Sequence, residues 1–128
     1  MQPSDYALIV HVWHLDVLHD LTEAAANLPD GTDQFVTLPA TFAPDLRAQV
    51  AAAFPRATLV EVENRGQDVG ALFQLMEKVD LSPYDFLCKI HTKKGPSMPD
   101  EWRRALLDGV LRSEQQVAHI IERFRTDP

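Results

Sequence analysis

Apolar and polar residues alternate along this chain in blocks that predict strands separated by helices. The first block, Tyr6 to Trp13, is an almost unbroken apolar run, which is typical of a strand buried on both faces of a parallel sheet. Three shorter runs of apolar and β-branched residues follow at Gln34 to Leu38, Ala57 to Val62 and Asp85 to His91. Strands that alternate with helices indicate a parallel sheet with right-handed crossovers.

Helical spacing of the apolar residues predicts the helices between and after these strands. Asp16 is expected to cap the first helix and Pro44 to begin the second. Ser113 with Gln116 has the form of a capping box that begins the last helix. The predicted buried faces are Val17, Leu18, Leu21, Ala24, Ala25 and Leu28; Leu46, Val50, Ala53 and Phe54; Val69, Leu72, Phe73, Met76 and Val79; Trp102, Leu106, Val110 and Leu111; and Val117, Ile120, Ile121 and Phe124.

With 128 residues, the chain is long enough for one domain with its own core and too short for two. The predicted order of elements is β-α-β-α-β-α-β followed by helices. We therefore expect the α/β class, with an open parallel sheet of about four strands flanked by helices. Because a doubly wound sheet usually carries more strands, residues 1–128 are expected to form a single domain that is part of a longer protein.

The overall charge excludes broad affinity for polyanions. Lys and Arg number 12 against 19 Asp and Glu, which gives a net charge of −7, whereas nucleic acids and anionic membranes are bound by basic surfaces. Positive charge is nevertheless concentrated in one stretch that contains Lys89, Lys93, Lys94, Arg103 and Arg104. This distribution predicts a local anion site in an acidic protein, and no nucleic-acid partner.

Cysteine content and hydropathy limit the cellular compartments in which this protein is expected. The single cysteine, Cys88, excludes an intramolecular disulfide and favours a reducing environment, where it is expected to be a core residue. No stretch has the roughly 20 apolar residues that span a bilayer, and the basic and apolar regions of a secretory signal are absent. We expect a cytoplasmic protein, with the inner face of the membrane as the alternative location.

A polar turn, Asn64 to Asp68, lies between the third predicted strand and the helix that follows it. In an open α/β sheet, ligands bind at the turns that follow the carboxyl ends of strands. Asn64 and Asp68 are suited to orient a ligand or to cap the helix. Arg65 is a planar donor for phosphate or carboxylate, and Gly66 permits close approach of the backbone. The alternative is a purely structural turn, and the pattern matches neither a Rossmann fingerprint nor a P-loop.

A second polar stretch, His91 to Gly95, follows the fourth predicted strand. Its adjacent lysines, Lys93 and Lys94, would neutralise a diphosphate without a metal ion. A solvated charged loop is the alternative interpretation. We expect this stretch and the Asn64 to Asp68 turn to face one another across one ligand site.

His11 lies within the first apolar run. A histidine in such a run is more often a hydrogen-bonded core residue than a ligand-binding one. If the first strand is central, however, its end adjoins the end of the fourth strand, which would bring His11 near His91. No pair of Cys or His residues has zinc-ligand spacing, and Asp-x-Asp is absent. We therefore expect neither a metal site nor a cofactor.

Two motifs together resemble those of the rhamnan synthesis protein F family. Glu63 to Gly70 contains an Asn-x-Gly-x-Asp turn, and Tyr84 to Lys94 contains a strand that ends in His-x-Lys-Lys. The first strand is similar too, since it ends in a histidine and an aromatic residue, His11 and Trp13. The resemblance implies a role in assembling bacterial cell-surface polysaccharides, including lipopolysaccharide O-chains. It also implies a glycosyltransferase-like domain with the nucleotide-binding half of a glycosyltransferase A-like fold.

The partners that this resemblance implies are a nucleotide-sugar donor, for example of a deoxysugar such as rhamnose, and a glycan acceptor. In related transferases the fourth strand usually ends in Asp-x-Asp, which holds a metal on the donor diphosphate, whereas here Lys89 to Lys93 stands in that position. A hexosyltransferase-like activity would therefore be metal-independent, and no catalytic base is assigned. The expected substrate-binding residues are His11, Asn64, Arg65, Gly66, Asp68, His91, Lys93 and Lys94.

Two other functions stay open at this point. A noncatalytic carbohydrate-binding or assembly module of a larger polysaccharide-synthesis protein would bind glycan or a partner protein, and no nucleotide. A metal-independent phosphohydrolase is the third candidate. Peripheral association with a membrane through the parent protein is open under each of them.

Overall fold

The computed structural model of the protein describes residues 5–63, 67–92 and 100–126, except for the side chains of 67, 68 and 100–103. The strands are β1 (Tyr6–His11), β2 (Asp33–Pro39), β3 (Thr58–Val62) and β4 (Phe86–His91). All neighbouring strands are parallel and lie in the order β3-β2-β1-β4. The predicted α/β class and open parallel sheet are confirmed, with small differences at the strand ends.

Helices cover both faces of this sheet. They are α1 (Leu18–Ala25), α2 (Pro44–Ala53), α3 (Gln67–Lys78), α4 (Asp100–Leu111) and α5 (Glu114–Thr126), and a short 3-10 helix, Leu15–Val17, precedes α1. The helices α1, α2, α4 and α5 pack on one face, and α3 packs on the other. Within the described residues, no helix combines the length and the apolar composition that crossing a bilayer requires.

The central strand β1 contributes to two hydrophobic cores. It is buried at every residue, as expected for a strand with helices on both sides of its sheet. Leu8 and Val10 belong to the core beneath α1, α2, α4 and α5. Ala7 and Ile9 belong to the smaller core beneath α3. The prediction of a strand buried on both faces is confirmed.

The helix starts agree with the sequence in two places and differ in a third. Pro44 is the first residue of α2, where its missing N–H leaves no hydrogen bond unmade. At the start of α5, Ser113 Oγ accepts a hydrogen bond from Gln116 N at 3.1 Å, while Gln116 Oε1 accepts one from Arg112 N. The prediction for Asp16 is wrong, because it lies inside the 3-10 helix and neither that helix nor α1 has a side-chain cap.

The buried face of α3 is narrower than its apolar pattern predicts. Ala71 and Leu75 are fully buried, whereas Val69, Phe73 and Met76 are 55%, 60% and 53% exposed. In the described part of the chain, α3 is the only helix on its face of the sheet. It therefore buries one stripe against the strands and leaves its flank without a neighbouring helix, so the predicted burial of these three side chains is wrong.

The last two helices require a correction of the same kind. Leu106, Val110 and Phe124 were predicted to be buried and are exposed. Both helices pack near β4, and no further strand lies beyond β4 in the described sheet. Within the described residues, their outer surfaces therefore lack a layer to pack against. The positions that are buried are Leu107, Leu111, Val117 and Ile121.

Candidate functional site

The strand order defines a topological switch point between β1 and β4. From β1 the chain moves outward to β2 and β3, and it then returns across the sheet to place β4 on the other side of β1. The outward connections, α1 and α2, pack on one face, and the returning connection, α3, packs on the other. Because the returning connection changes both its direction along the sheet and the face on which it packs, all the crossovers have the same handedness. In such sheets, ligands bind in the crevice where the carboxyl ends of the two diverging strands meet.

His11 and His91 end the two strands of the switch point and are register partners. Neighbouring strands lie about 4.8 Å apart, and register partners project to the same face of the sheet. His11 is 8% exposed, and His91 is partly exposed. The expectation that a central first strand would bring these two histidines together is confirmed in the backbone pairing.

Thr37 of β2 orients the imidazole of His11 from the opposite side. The two residues are register partners, and His11 Nδ1 lies 2.9 Å from Thr37 Oγ1. The Thr37 hydroxyl donates to the carbonyl oxygen of Val10 at 3.4 Å, so its oxygen is left to accept a hydrogen bond from Nδ1–H. We infer from this arrangement that the neutral ring carries its proton on Nδ1.

Thr92, directly after β4, connects the ends of β1 and β4 by hydrogen bonds. Its Oγ1 accepts hydrogen bonds from two successive backbone N–H groups, those of Trp13 at 2.8 Å and His14 at 3.1 Å. Its own N–H donates to the carbonyl oxygen of His11 at 3.0 Å. Successive N–H groups that converge on one oxygen also form anion sites in other proteins. Thr92 therefore fixes the connection that follows β1 and satisfies two donors at the switch point.

The polar turn after β3 departs from a residue that α3 holds in place. Gln74 Oε1 accepts a hydrogen bond from Glu63 N at 2.8 Å, and Gln74 Nε2 donates to the Glu63 carbonyl oxygen at 2.9 Å. Lys78 Nζ donates to the carbonyl oxygen of Glu61 at 2.8 Å. The end of β3 is thus fixed by two side chains of the helix that follows it.

Most of the predicted site residues fall outside the described part of the chain. Asp68 is the second residue of α3, and its side chain is not described. The carboxyl ends of β3 and β4 share one rim of the sheet, but they are the two outer strands, about 14 Å apart across three strand spacings. That the two turns face one another across one ligand site stays a prediction. The residues outside the description are Asn64, Arg65, Gly66, Lys93 and Lys94.

Three residues of this region, Thr37, Thr92 and Gln74, were not identified from the sequence. A threonine in a strand usually packs as a β-branched residue, and nothing in its neighbours distinguishes a threonine that holds an imidazole. The available clue was position, since Thr37 and Thr92 each lie within a residue of the carboxyl end of a predicted strand.

Cys88 behaves as the core residue that the sequence predicts. It packs against the larger core, and burial raises the pKa of its thiol to about 11. The thiolate, which is the nucleophilic form, is therefore scarce at neutral pH. Among the described residues, no three His, Cys, Asp or Glu side chains are placed to hold a metal ion.

Comparison with known proteins identifies the family. Over residues 1–128 the chain matches the model described as Rhamnan synthesis protein F, a description that assigns the family to polysaccharide synthesis. Two relatives, each named Uncharacterized protein WxcX, come from Xanthomonas campestris pv. campestris strains B100 and ATCC 33913. Each is 26% identical over 123 residues, which are 94% of this chain and 18% of the relative. The chain therefore spans less than a fifth of the length of these relatives. No solved structure matches it. Because the family model covers the whole chain, this protein belongs to the rhamnan synthesis protein F family.

Proposed function

We propose that this protein binds a nucleotide-activated sugar, as the donor-binding domain of a glycosyltransferase-like protein in cell-surface polysaccharide synthesis. The observation that carries the proposal is the switch point of the sheet, where His11 and His91 end adjacent strands. In doubly wound sheets, this position receives the phosphates of a nucleotide. Membership of a rhamnan synthesis family supports a sugar substrate, and a deoxysugar such as rhamnose is the donor sugar we propose.

The proposed contribution to catalysis is electrostatic. An activated sugar leaves its nucleoside diphosphate as an anion, and positioned donors that stabilise this growing charge lower the barrier. Lys93 and Lys94 follow His91 closely along the chain and would hold the diphosphate. His91 would donate a hydrogen bond to the same oxygens. The resemblance implies that Lys89 to Lys93 stands where related transferases carry Asp-x-Asp, so His91, Lys93 and Lys94 would take over the neutralising role of a metal.

The other predicted residues would orient the donor. His11, whose ring is held through Nδ1 by Thr37, would help to position the donor at the end of β1. Asn64, Arg65 and Asp68 would position the nucleotide or sugar hydroxyls from the turn after β3. The fixed backbone of Glu63 supports this role, because a rigid strand end limits the positions that the turn can take.

Isothermal titration calorimetry with UDP, dTDP and dTDP-rhamnose tests this function. We expect binding by the wild-type chain, and about tenfold weaker binding by the Lys93→Ala/Lys94→Ala variant. The matched control is Arg56→Ala/Arg112→Ala, which removes the same charge at exposed positions away from the switch point. Absence of heat and of competition at millimolar ligand for the wild-type chain would end the proposal. Equal losses in both variants would show a general charge effect instead of a site.

One observation favours the second candidate, a noncatalytic carbohydrate-binding or assembly module. The N–H groups of Trp13 and His14, which a phosphate would otherwise use, already donate to Thr92 Oγ1. A module of this kind would bind rhamnose oligosaccharides and give no heat with any of the nucleotides. Running both ligand classes in the same calorimetry series therefore separates the two functions.

A further inference from the structure

The indole of Trp13 is exposed at the switch point, just beyond the strand end that carries His11. Trp13 is 39% exposed, although tryptophan is among the more deeply buried residues on average. Within the described residues, no Phe or Tyr ring pairs with this indole. Packing inside the protein therefore does not account for a tryptophan at this position.

The strands on both sides of β1 hold the backbone of Trp13 in place. Its N–H donates to Thr92 Oγ1, beyond the end of β4, at 2.8 Å. The N–H of the preceding residue, Val12, donates to the carbonyl oxygen of Thr37 in β2 at 2.8 Å. The indole thus stands on a fixed backbone, and a ligand that packs on it does not have to order this segment first.

The direction of the chain places the indole on the same face of the sheet as the two histidines. Val12 packs into the larger core, and successive side chains of an extended chain alternate between the two faces. Trp13 therefore projects to the face of α3, as His11 does two residues earlier. His91, the register partner of His11, shares that face. A large apolar surface lies beside two imidazoles at the switch point.

We propose that the indole of Trp13 packs on the apolar face of a 6-deoxyhexose ring and recognises its methyl group. The neighbouring side chains on this face, those of His11 and His91, are polar, so the indole is where an apolar part of a ligand is favoured. A hexopyranose carries hydroxyls around its edge and C–H groups on its faces, and a 6-deoxyhexose has a methyl group in place of the hydroxymethyl. Removing such groups from water against a flat aromatic surface is favourable.

This contact rests on the proposed function, because it places the sugar of the donor at the switch point, and it adds the side chain that distinguishes a deoxysugar from other hexoses. A nucleobase is the other flat group that stacks on an indole. The sugar is favoured because the family is one of polysaccharide synthesis. Donor, acceptor and product of such a synthesis all contain a sugar, whereas only the donor contains a base. Rhamnose, the sugar of a rhamnan, is a 6-deoxyhexose.

Titration of the nitrogen-15-labelled chain with methyl α-L-rhamnoside tests this contact by NMR. The chain has two tryptophans and therefore two indole N–H signals, and the signal that Trp13→Phe removes is that of Trp13. We expect millimolar rhamnoside to shift this signal. Methyl α-L-mannoside differs only by a hydroxyl on C6. It should bind about fourfold more weakly, because it lacks the buried methyl group.

Variants of exposed aromatic residues locate the contact, with binding followed by saturation transfer to the methyl protons of the rhamnoside. Trp13→Ala should weaken binding about tenfold, the loss expected when roughly 50 Å² of apolar surface is no longer buried. Trp13→Phe keeps a smaller ring and should lose about threefold. The matched control is Phe124→Ala, because Phe124 is 61% exposed and packs beside Phe86, at the other end of β4. This control should bind the rhamnoside as the wild-type chain does.

An unmoved Trp13 signal at millimolar rhamnoside would overturn this contact, and so would equal binding by the wild-type chain and Trp13→Ala. A shift produced by dTMP and not by the rhamnoside would overturn it in favour of the base. Equal affinity for the two glycosides would overturn recognition of the methyl group.

These outcomes are distinguishable from failure of the proposed function. If dTDP-rhamnose binds the wild-type chain and Trp13→Ala equally, nucleotide-sugar binding stands and the Trp13 contact is overturned. If the rhamnoside shifts the Trp13 signal of a chain that gives no heat with any nucleotide, the contact stands and the proposed function is overturned.

Discussion

The imidazole of His11 and the hydroxyl of Thr37 are joined by a hydrogen bond of 2.9 Å between adjacent strands at the carboxyl rim of the sheet. His11 is 8% exposed and Thr37 is 1% exposed. Water therefore has little access to replace a partner that is lost, so the bond holds the ring in one orientation.

Thr37→Val keeps the shape of the side chain and removes the acceptor of the His11 Nδ1 proton. We expect the free energy of unfolding, measured with urea, to fall by about 1–3 kcal/mol, because a buried donor loses its partner. Thr37→Ser keeps the hydroxyl and should retain the tautomer. Nitrogen-15 NMR of the imidazole reports this directly, and a ring with its proton on Nε2 in the wild-type chain would contradict the assignment.

Tyr84 stabilises the fold in a pH-dependent way. Its hydroxyl donates to Asp33 Oδ2 at 2.6 Å, and this bond, with some burial, raises the pKa of Tyr84 from 10.0 to about 12. Folding thus favours the protonated phenol, so the stabilisation is complete below about pH 10 and is lost as the pH rises through 12. We expect Tyr84→Phe to cost about 1 kcal/mol at pH 8. The difference from wild type should shrink by pH 11, and a difference that grows with pH would contradict the mechanism.

Two neighbouring residues of α3 should differ sharply in their effect on stability. Leu75 is fully buried, so Leu75→Ala should lower the free energy of unfolding by about 2–5 kcal/mol. Phe73 is 60% exposed, so Phe73→Ala should change it by no more than about 0.5 kcal/mol. Urea denaturation of the two variants in parallel tests which face of α3 is buried. A larger loss for Phe73→Ala would restore the face that the periodicity predicts.

The thiol of Cys88 should react slowly in the folded chain. Burial raises its pKa from 9.0 to about 11, so at pH 8 the thiolate fraction is about a hundredfold lower than for an ordinary cysteine. Iodoacetamide should alkylate the native protein at least about tenfold more slowly than the urea-unfolded chain, and the native rate should keep rising beyond pH 9. A native rate that levels off near pH 8 would contradict the raised pKa.

The strands and their parallel arrangement were predictable because apolar runs such as Tyr6–His11 leave few alternatives to a strand buried on both faces. The pairing of particular residues was not predictable, because the register of the strands depends on how the helices pack on the sheet. His11 and His91 were expected to meet only if β1 proved central. The fold supplies that condition through the return of α3 across the sheet.

The buried face of α3 shows that a periodic pattern does not predict which of several apolar stripes is buried. Val69, Phe73 and Met76 fit a helical stripe as well as Ala71 and Leu75 do, because the helix is apolar around much of its surface. Which stripe is covered depends on the elements beside the helix, a property of the tertiary structure. The hydrogen-bonding roles of threonines at strand ends escaped prediction for the same reason.

The placement of β4 has a consequence for synthesis of the chain. β1 pairs along one side with β2, and along its other side it can pair only after β4 has been synthesised. The first paired residue of β4, Phe86, follows Tyr6 by 80 positions. At about 5–20 residues per second, a ribosome needs roughly 4–16 s to add that many residues. During this interval one flank of the most apolar segment has no native partner, so this segment is open to non-native pairing while the chain is being made.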